Sequence, residues 1–233
     1  KCEQLIREGR VTVDNVSISH PAFNVDTESA EVAVDGEIVC PECARYVALN
    51  KPPGYTCSLD DVHAEYLISA LFPDTETRLF PVGRLDRESE GLLICTNDGR
   101  LANLLTHPRY QVIKKYAVET VTEISAETLS FLRRGISDEG EFLQPLAVSA
   151  ESGESGTLLR LELNEGRKNE VRRLCRAVGI RVERLVRTAI GALTLEKLDS
   201  GESRFLRAEE VRLLYADALN ENKKSALSSS ESL

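Results

Sequence analysis

The stretch Pro81-Val82-Gly83-Arg84-Leu85-Asp86-Arg87-Glu88-Ser89-Glu90-Gly91 crowds alternating charges into a glycine-flanked segment just ahead of an apolar run, Gly91–Cys95. That is the pattern of a loop held by a strand, where reacting side chains commonly sit. Asp86 falls between Arg84 and Arg87, and a carboxylate between two cationic side chains suits a nucleophile. Two other readings fit the same residues. One is an exposed, salt-bridged turn. The other is a paired-carboxylate hydrolase using Asp86 and Glu90, whose separation the sequence does not set. Competing chemistries lack their residues. His20, His63 and His107 do not fall in a metal-ligand spacing, and neither a Gly-rich phosphate loop nor a Gly-x-Ser-x-Gly elbow is present. Cys40-Pro41-Glu42-Cys43 has the gap of a zinc half-site or redox pair, but no second pair or nearby His follows. Ordinary thiols are expected there. Any chemistry is expected to be carboxylate-based, without metal or cofactor.

The chain that must position these residues has 233 of them, enough for one or two domains with a real core. Its 42% hydrophobic and 29% charged content excludes collagen-like and disordered classes. The longest apolar runs are strand-sized, short of the ~18–20 residues that span a bilayer. No secretory pattern opens the sequence, and six scattered cysteines fit a reducing cytoplasm. The chain starts at Lys1 and contains no Met, and is read as lacking its original start. A net charge of −9 taken alone argues against a nucleic-acid partner. The distribution argues otherwise. Residues 24–65 carry acids almost without bases, whereas 160–187 gather Arg160, Arg167, Lys168, Arg172, Arg173, Arg176, Arg181, Arg184 and Arg187. Such asymmetry allows an anionic ligand on one face, although a solvated Arg-rich helix has the same composition.

Residues 1–39 read as a short helix, Cys2–Glu8, followed by small strands with turns at Asp14-Asn15 and Asp35-Gly36. From Tyr46 the pattern is that of a larger domain. Strands are expected at Tyr46–Leu49, Gly91–Cys95, Tyr116–Val121 and Leu158–Leu163. Helices are expected at Val62–Leu71, after Asn97-Asp98-Gly99, from Ser125 through Arg134, at Asn169–Val178 and at Ala208–Leu214. Helices and strands alternate irregularly, which predicts an α+β fold rather than a doubly wound parallel sheet. The Ser-rich end, within 216–233, is expected to be a disordered tail.

Taken in order, several motifs carry a resemblance. They are Asn50-Lys51-Pro52-x-Gly54, Gly83-Arg84-Leu85-Asp86 running into Glu90-Gly91-Leu92-Leu93, Thr96-Asn97-Asp98-Gly99, Thr106-His107-Pro108-Arg109 and Lys114-Lys115-Tyr116. Glu165-Gly166-Arg167, Val171-Arg172-Arg173 and Arg187 to Ile190-Gly191 follow. Together they resemble the RNA pseudouridine synthases of the RsuA/RluB branch over nearly all of residues 44–214. Residues 1–40 are similar to the back half of the small RNA-binding module of the S-four ribosomal-protein type, without its first helix. The resemblance implies a mixed, mainly antiparallel sheet with flanking helices in a catalytic domain at 44–215. It also implies isomerisation of a uridine in structured RNA to pseudouridine, without metal or cofactor.

On that resemblance Asp86 matches the catalytic aspartate, attacking C1′ of the sugar or C6 of the base. Tyr116 matches the active-site tyrosine, which stacks on the extruded uracil. Arg172 matches the basic residue that pairs with the aspartate, with Arg173 the adjacent choice. Leu185 and Ile190 would wall the uracil pocket, and Arg84 would fill the space left by the base or hold a phosphate. Lys51 is counted with the substrate-binding residues. One departure is Asn169-Glu170, where the pattern commonly carries Gln after His or Arg. Glu170 would thereby add negative charge to the RNA-facing helix. The expected partner is ribosomal RNA, of the large subunit in preference to the small, bound by a cytoplasmic monomer without membrane contact. The rival is a non-catalytic RNA-binding or ribosome-assembly factor, which loss of Asp86, Tyr116 or Arg172 would have marked.

Overall fold

The computed structural model describes residues 2–26, 29–40, 42–58, 64–73, 77–153 and 156–230, with side chains as far as residue 219. It divides into two units, 1–43 and 44–233. In the first, helix α1 (Cys2–Arg7) precedes strands β1 (Val11–Val13), β2 (Val16–Ile18), β3 (Val32–Val34) and β4 (Glu37–Ile38). These form an antiparallel sheet in the order β2-β1-β3-β4. Asp14 and Asn15 both take positive φ, 49° and 63°, as do Asp35 and Gly36 at 54° and 84°. Two-residue hairpin loops need that backbone to match the twist of their strands. Val11, Val13 and Ile18 point inward, and Leu5 and Ile6 of α1 pack on them.

The second unit holds strands β5 (Tyr46–Lys51), β6 (Phe80–Val82), β7 (Glu90–Thr96), β8 (Lys114–Thr120), β9 (Ile136–Asp138) and β10 (Glu141–Leu143). It continues with β11 (Ala147–Gly153), β12 (Gly156–Leu163), β13 (Arg184–Ile190), β14 (Leu193–Thr194) and β15 (Ser203–Phe205). Its helices are α2 (Gly99–Thr106), α3 (Ala126–Arg134), α4 (Glu170–Ala177) and α5 (Ala208–Ser230). β9 and β10 form a hairpin. The rest make a nine-stranded sheet in the order β11-β12-β8-β13-β7-β5-β15, with β14 beside β13 and β6 beside β7. Among the described residues β13–β7 is its one parallel pair. The fold is α+β with a mixed, mainly antiparallel sheet, as the element pattern and the resemblance imply.

β7 explains why its sequence is a continuous apolar run. Leu92 and Ile94 point into a core shared with Leu101, Leu104 and Leu105 of α2 and with Leu214 and Ala218 of α5. Leu93 and Cys95 point into a second core with Val47, Leu49 and Ile68. A strand covered on both faces has no polar side to alternate with. α2 starts where the Asp98 carboxylate accepts from the amides of Arg100 and Leu101.

Two expectations are corrected and one strand is new. Of the helix expected over Val62–Leu71, residues 62 and 63 lie outside the described residues. Ala64–Leu67 are not helical, and one 3-10 turn covers Ile68–Leu71. The last helix does not stop at Leu214 before a disordered tail. It runs to Ser230, with Ala218 fully buried and Asp217 accepting from the Ala192 amide. The tail's last residues, 231–233, lie outside the described residues. Finally, β13 went unpredicted although it lies at the middle of the sheet, because five of its seven residues are buried and no alternation marks it.

Candidate active site

The Gly83–Ser89 loop joins β6 to β7, and neighbouring segments stitch it down. Lys51, at the end of β5, has no exposed surface, and its amine donates to the carbonyls of Pro52, Arg87 and Ser89 at 3.0, 3.1 and 2.8 Å. The Gly54 amide donates to Arg87 O at 2.8 Å, and Arg87 Nε returns a bond to Gly54 O at 3.2 Å. The motif Asn50-Lys51-Pro52-Pro53-Gly54 is therefore the clamp on the Asp86 loop. That corrects the placement of Lys51 among the substrate-binding residues. Its ammonium is enclosed by carbonyls, and burial pushes its pKa below the ordinary lysine value.

A transverse row of the sheet sets the floor. Tyr116 on β8 pairs with Arg187 on β13, Arg187 pairs with Gly91 on β7, and Gly91 pairs with Lys51 on β5. Cross-strand partners share a face, so the row puts a phenol and two cations on one side of the sheet with a glycine between the cations. Gly91 has φ +104°, and a Cβ there would lie 2.7 Å from Arg187 N and closer still to Arg187 O. Only glycine fits. Arg187 is 3% exposed; its Nε donates to Leu92 O at 2.7 Å and its Nη1 to Arg84 O at 3.3 Å. Among the described residues its Nη2, buried like the Ser89 Oγ, has no partner, and neither has that hydroxyl.

Arg187 and Ser89 both border a cleft of about 610 Å³, within the ~300–1,000 Å³ range of small-ligand sites. Asp86, Tyr116, Arg84, Leu185 and Ile190 line it together, brought from one loop and two strands. Five basic side chains (Arg84, Lys114, Arg167, Lys168, Arg187) and two acidic ones (Asp86, Glu170) face it. A protein of net charge −9 thus carries a locally cationic cleft, suited to an anionic ligand. Lys114 reaches the carbonyls of Val112 and Glu165 at 3.2 and 3.4 Å. Burial, with Arg187 nearby, pushes its amine down to about 8.

The two adjacent arginines part company. Arg173 is 6% exposed and points to the β9–β10 hairpin, where it pairs with Asp138 and Glu141 and donates to Asp138 O at 2.7 Å. It is structural and does not reach the cleft, which corrects the expectation that it trades roles with Arg172. Arg172 does face the Asp86 loop, but it donates to Glu88 O at 3.1 Å. Among the described residues no ion pair joins it to Asp86. Asn169 stands there instead, its side-chain amide within 2.7 and 2.8 Å of the two carboxylate oxygens. Glu170 does not add charge to an exposed face: it is 5% exposed and accepts from the Arg167 amide at 3.1 Å. Burial raises its pKa above the ordinary glutamate value.

Arg187, Lys114 and Asn169 were not singled out from residue types for this site. A signal existed for Arg187, which is a lone arginine between Val186 and Ala189-Ile190 in a run otherwise fit for the core. Among the described residues no group of three or more His, Cys, Asp or Glu is placed to hold a metal. None of the six cysteines is disulfide-bonded, and among the described residues no helix is long and apolar enough to cross a membrane.

Comparison with known proteins gives this geometry its relatives. A family model described as RNA pseudouridylate synthase matches residues 45–177. An uncharacterized RNA pseudouridine synthase of Aquifex aeolicus is 40% identical over 218 residues, covering 92% of this chain and 87% of the relative. The ribosomal large subunit pseudouridine synthase B of Bacillus subtilis is 34% identical over 219 residues, covering 93% and 89%. A crystal structure of a pseudouridylate synthase superposes with a TM-score of 0.67 at 28% identity, covering 91% of each chain. The matched span contains the Asp86 loop, the β8 tyrosine and α4, and the chain belongs to the RNA pseudouridine synthase family, in its RsuA/RluB branch.

Proposed function

We propose that the protein isomerises one uridine of ribosomal RNA to pseudouridine, with Asp86 as nucleophile and no cofactor, after the base has swung out of the RNA. The observation that carries this reading is the convergence of Asp86, Tyr116 and Arg187 on one cationic cleft. Extruding a base costs roughly a few kcal/mol, which contacts between phosphates and Arg84, Lys114, Arg167 and Lys168 would offset. In the cleft an Asp86 oxygen forms a bond to C1′ or C6 while the glycosidic C1′–N1 bond breaks. The freed uracil turns beside the Tyr116 ring and rejoins C1′ through C5. The C5 proton then leaves, N1 gains one, and the Asp86 carboxylate is restored. Leu185 and Ile190 supply the apolar walls, and Arg172 braces the loop through the Glu88 carbonyl. A large-subunit target is favoured by the name of the Bacillus subtilis relative. We place the protein in the cytoplasm, on its six unbonded cysteines, and take it to act as a monomer.

The test is to map pseudouridines in ribosomal RNA from cells with and without the gene, and with Asp86→Ala in its place. One site should vanish in the deletion, stay absent with Asp86→Ala and return with the wild type. Unchanged maps alongside tight binding to ribosomal RNA would transfer the protein to the assembly factors.

A further inference from the structure

Asn169 sits at the N-cap of α4 with a left-handed backbone, φ 53°. Asparagine favours both the cap position and that backbone, yet its side chain makes no capping hydrogen bond. The amide is turned outward to the neighbouring loop, 2.7 Å from Asp86 Oδ2 and 2.8 Å from Oδ1. An amide oxygen there would face two acceptors with nothing to donate, so the nitrogen is the atom that faces Asp86. Asn169 also lines the cleft. Among the described residues Asp86 has no ion pair, which leaves a neutral donor where a cation was expected.

We infer that Asn169 is the positioning residue of the Asp86 carboxylate, holding both oxygens before attack and the spare oxygen afterwards. The chemistry favours an amide here. One amide nitrogen within reach of both oxygens fixes the plane of the carboxylate without pairing it to a cation. When one Asp86 oxygen forms its bond to the uridine carbon, the other becomes a carbonyl oxygen, and the amide still has an acceptor to hold. Collapse of that adduct returns the electron pair to Asp86 and the original contact. The left-handed backbone also explains the residue type, because few side chains other than Asn or Asp tolerate it. The inference rests on Asp86 being the nucleophile.

The experiment uses the full chain and ribosomal RNA from a strain lacking the gene, with single-turnover rates and RNA affinity measured separately. Asn169→Gly keeps the left-handed backbone and deletes the amide. It should slow the bond-making step about 10- to 100-fold, the cost of a misplaced reacting group, with RNA affinity within about twofold of wild type. Asn169→Asp keeps size and backbone but sets a second carboxylate against the first, and should be slower than Asn169→Gly. A residue that mattered only for shape would rank them the other way. The inference is overturned by a wild-type rate in Asn169→Gly, by a loss confined to RNA affinity, or by Asn169→Asp outperforming Asn169→Gly. Asp86→Ala, run alongside, separates the two layers. If it keeps the wild-type rate, the reading of Asp86 fails; if it is inactive while Asn169→Gly is unaffected, only the role of Asn169 fails.

Discussion

Lys51 and Arg187 are both buried cations, both stand one strand from Gly91, and both donate to carbonyls of the loop that carries Asp86. Their hydrogen-bond accounts differ. Lys51 has three donors and three carbonyl partners. Arg187 satisfies Leu92 and Arg84 and leaves Nη2 buried and, among the described residues, without a partner. A buried donor without a partner is costly in a free protein and rare for that reason. In a residue that borders a cleft of this size, a small shift of the side chain would give that donor an acceptor on a ligand. So the same charge at the same depth is scaffold on one side of Gly91 and, under the proposed reading, machinery on the other.

The sharpest way to break this arrangement is to fill the gap between the two cations. Gly91→Ala puts a Cβ 2.7 Å from Arg187 N at a φ of +104° that side chains avoid. Strand β7 would have to leave β13, at a cost of about 4 kcal/mol or more, read as a collapse of the urea midpoint or failure to fold. A native-like midpoint would mean that the row is looser than drawn. Next comes Lys51→Met, which keeps bulk and strands the Pro52, Arg87 and Ser89 carbonyls. Stability should fall by about 3 kcal/mol, given ~1–3 kcal/mol for each group left unsatisfied in part. RNA affinity should show an unchanged salt slope. Were Lys51 a phosphate ligand after all, the slope would drop by about one and stability would hold.

Arg187→Lys sharpens the other half of the contrast. The charge stays, but the fork that reaches Leu92 O and Arg84 O at once, with a third nitrogen left over, is lost. Stability should fall by only about 1 kcal/mol. Turnover on RNA should fall about 100-fold, equivalent to ~2.7 kcal/mol of transition-state stabilisation. A stability loss without a loss of turnover would make Arg187 a second Lys51.

How much of this was legible beforehand follows from range. The Asp14-Asn15 and Asp35-Gly36 turns, the Asp98 cap and the two-faced strand β7 are dictated by neighbours in sequence, and their residue types announce them. The Asp86 loop was legible for the same reason, because its charges and glycines are contiguous. Arg172 and Arg173 were not separable, since adjacent helical residues diverge by about 100° and only the placement of Asp138 and Glu141 decides which points away. Arg187 was harder still. Its meaning depends on a parallel register with Gly91, nearly a hundred residues distant, and on a strand in which five of seven residues are buried. Burial on both faces erases the alternation that would have revealed that strand.

Lys114 tests the smallest effect, and it belongs to the same contrast because Arg187 helps to set its charge. Burial and the nearby Arg187 push its amine down to about 8 from an ordinary 10.5, while Glu170 works to raise it. Below that value the folded protein and the unfolded chain both carry the proton. Between about 8 and 10.5 the unfolded chain keeps it and the folded protein does not. Stability should therefore climb with pH across that window relative to Lys114→Met, because the state that binds more protons is the one being disfavoured. RNA binding should move the opposite way. As pH rises from about 7 to about 9 one cation leaves the cleft, so the salt slope should shrink by up to ~1 in the wild type and stay flat in Lys114→Met. Arg187→Lys supplies the cross-check: it keeps a positive charge and so should leave the amine near 8, whereas Arg187→Met should let it rise and carry both pH steps upward together. If the two steps moved independently, the group that titrates in binding would not be the one that titrates in folding, and Lys114 would belong with Lys51 on the scaffold side of Gly91.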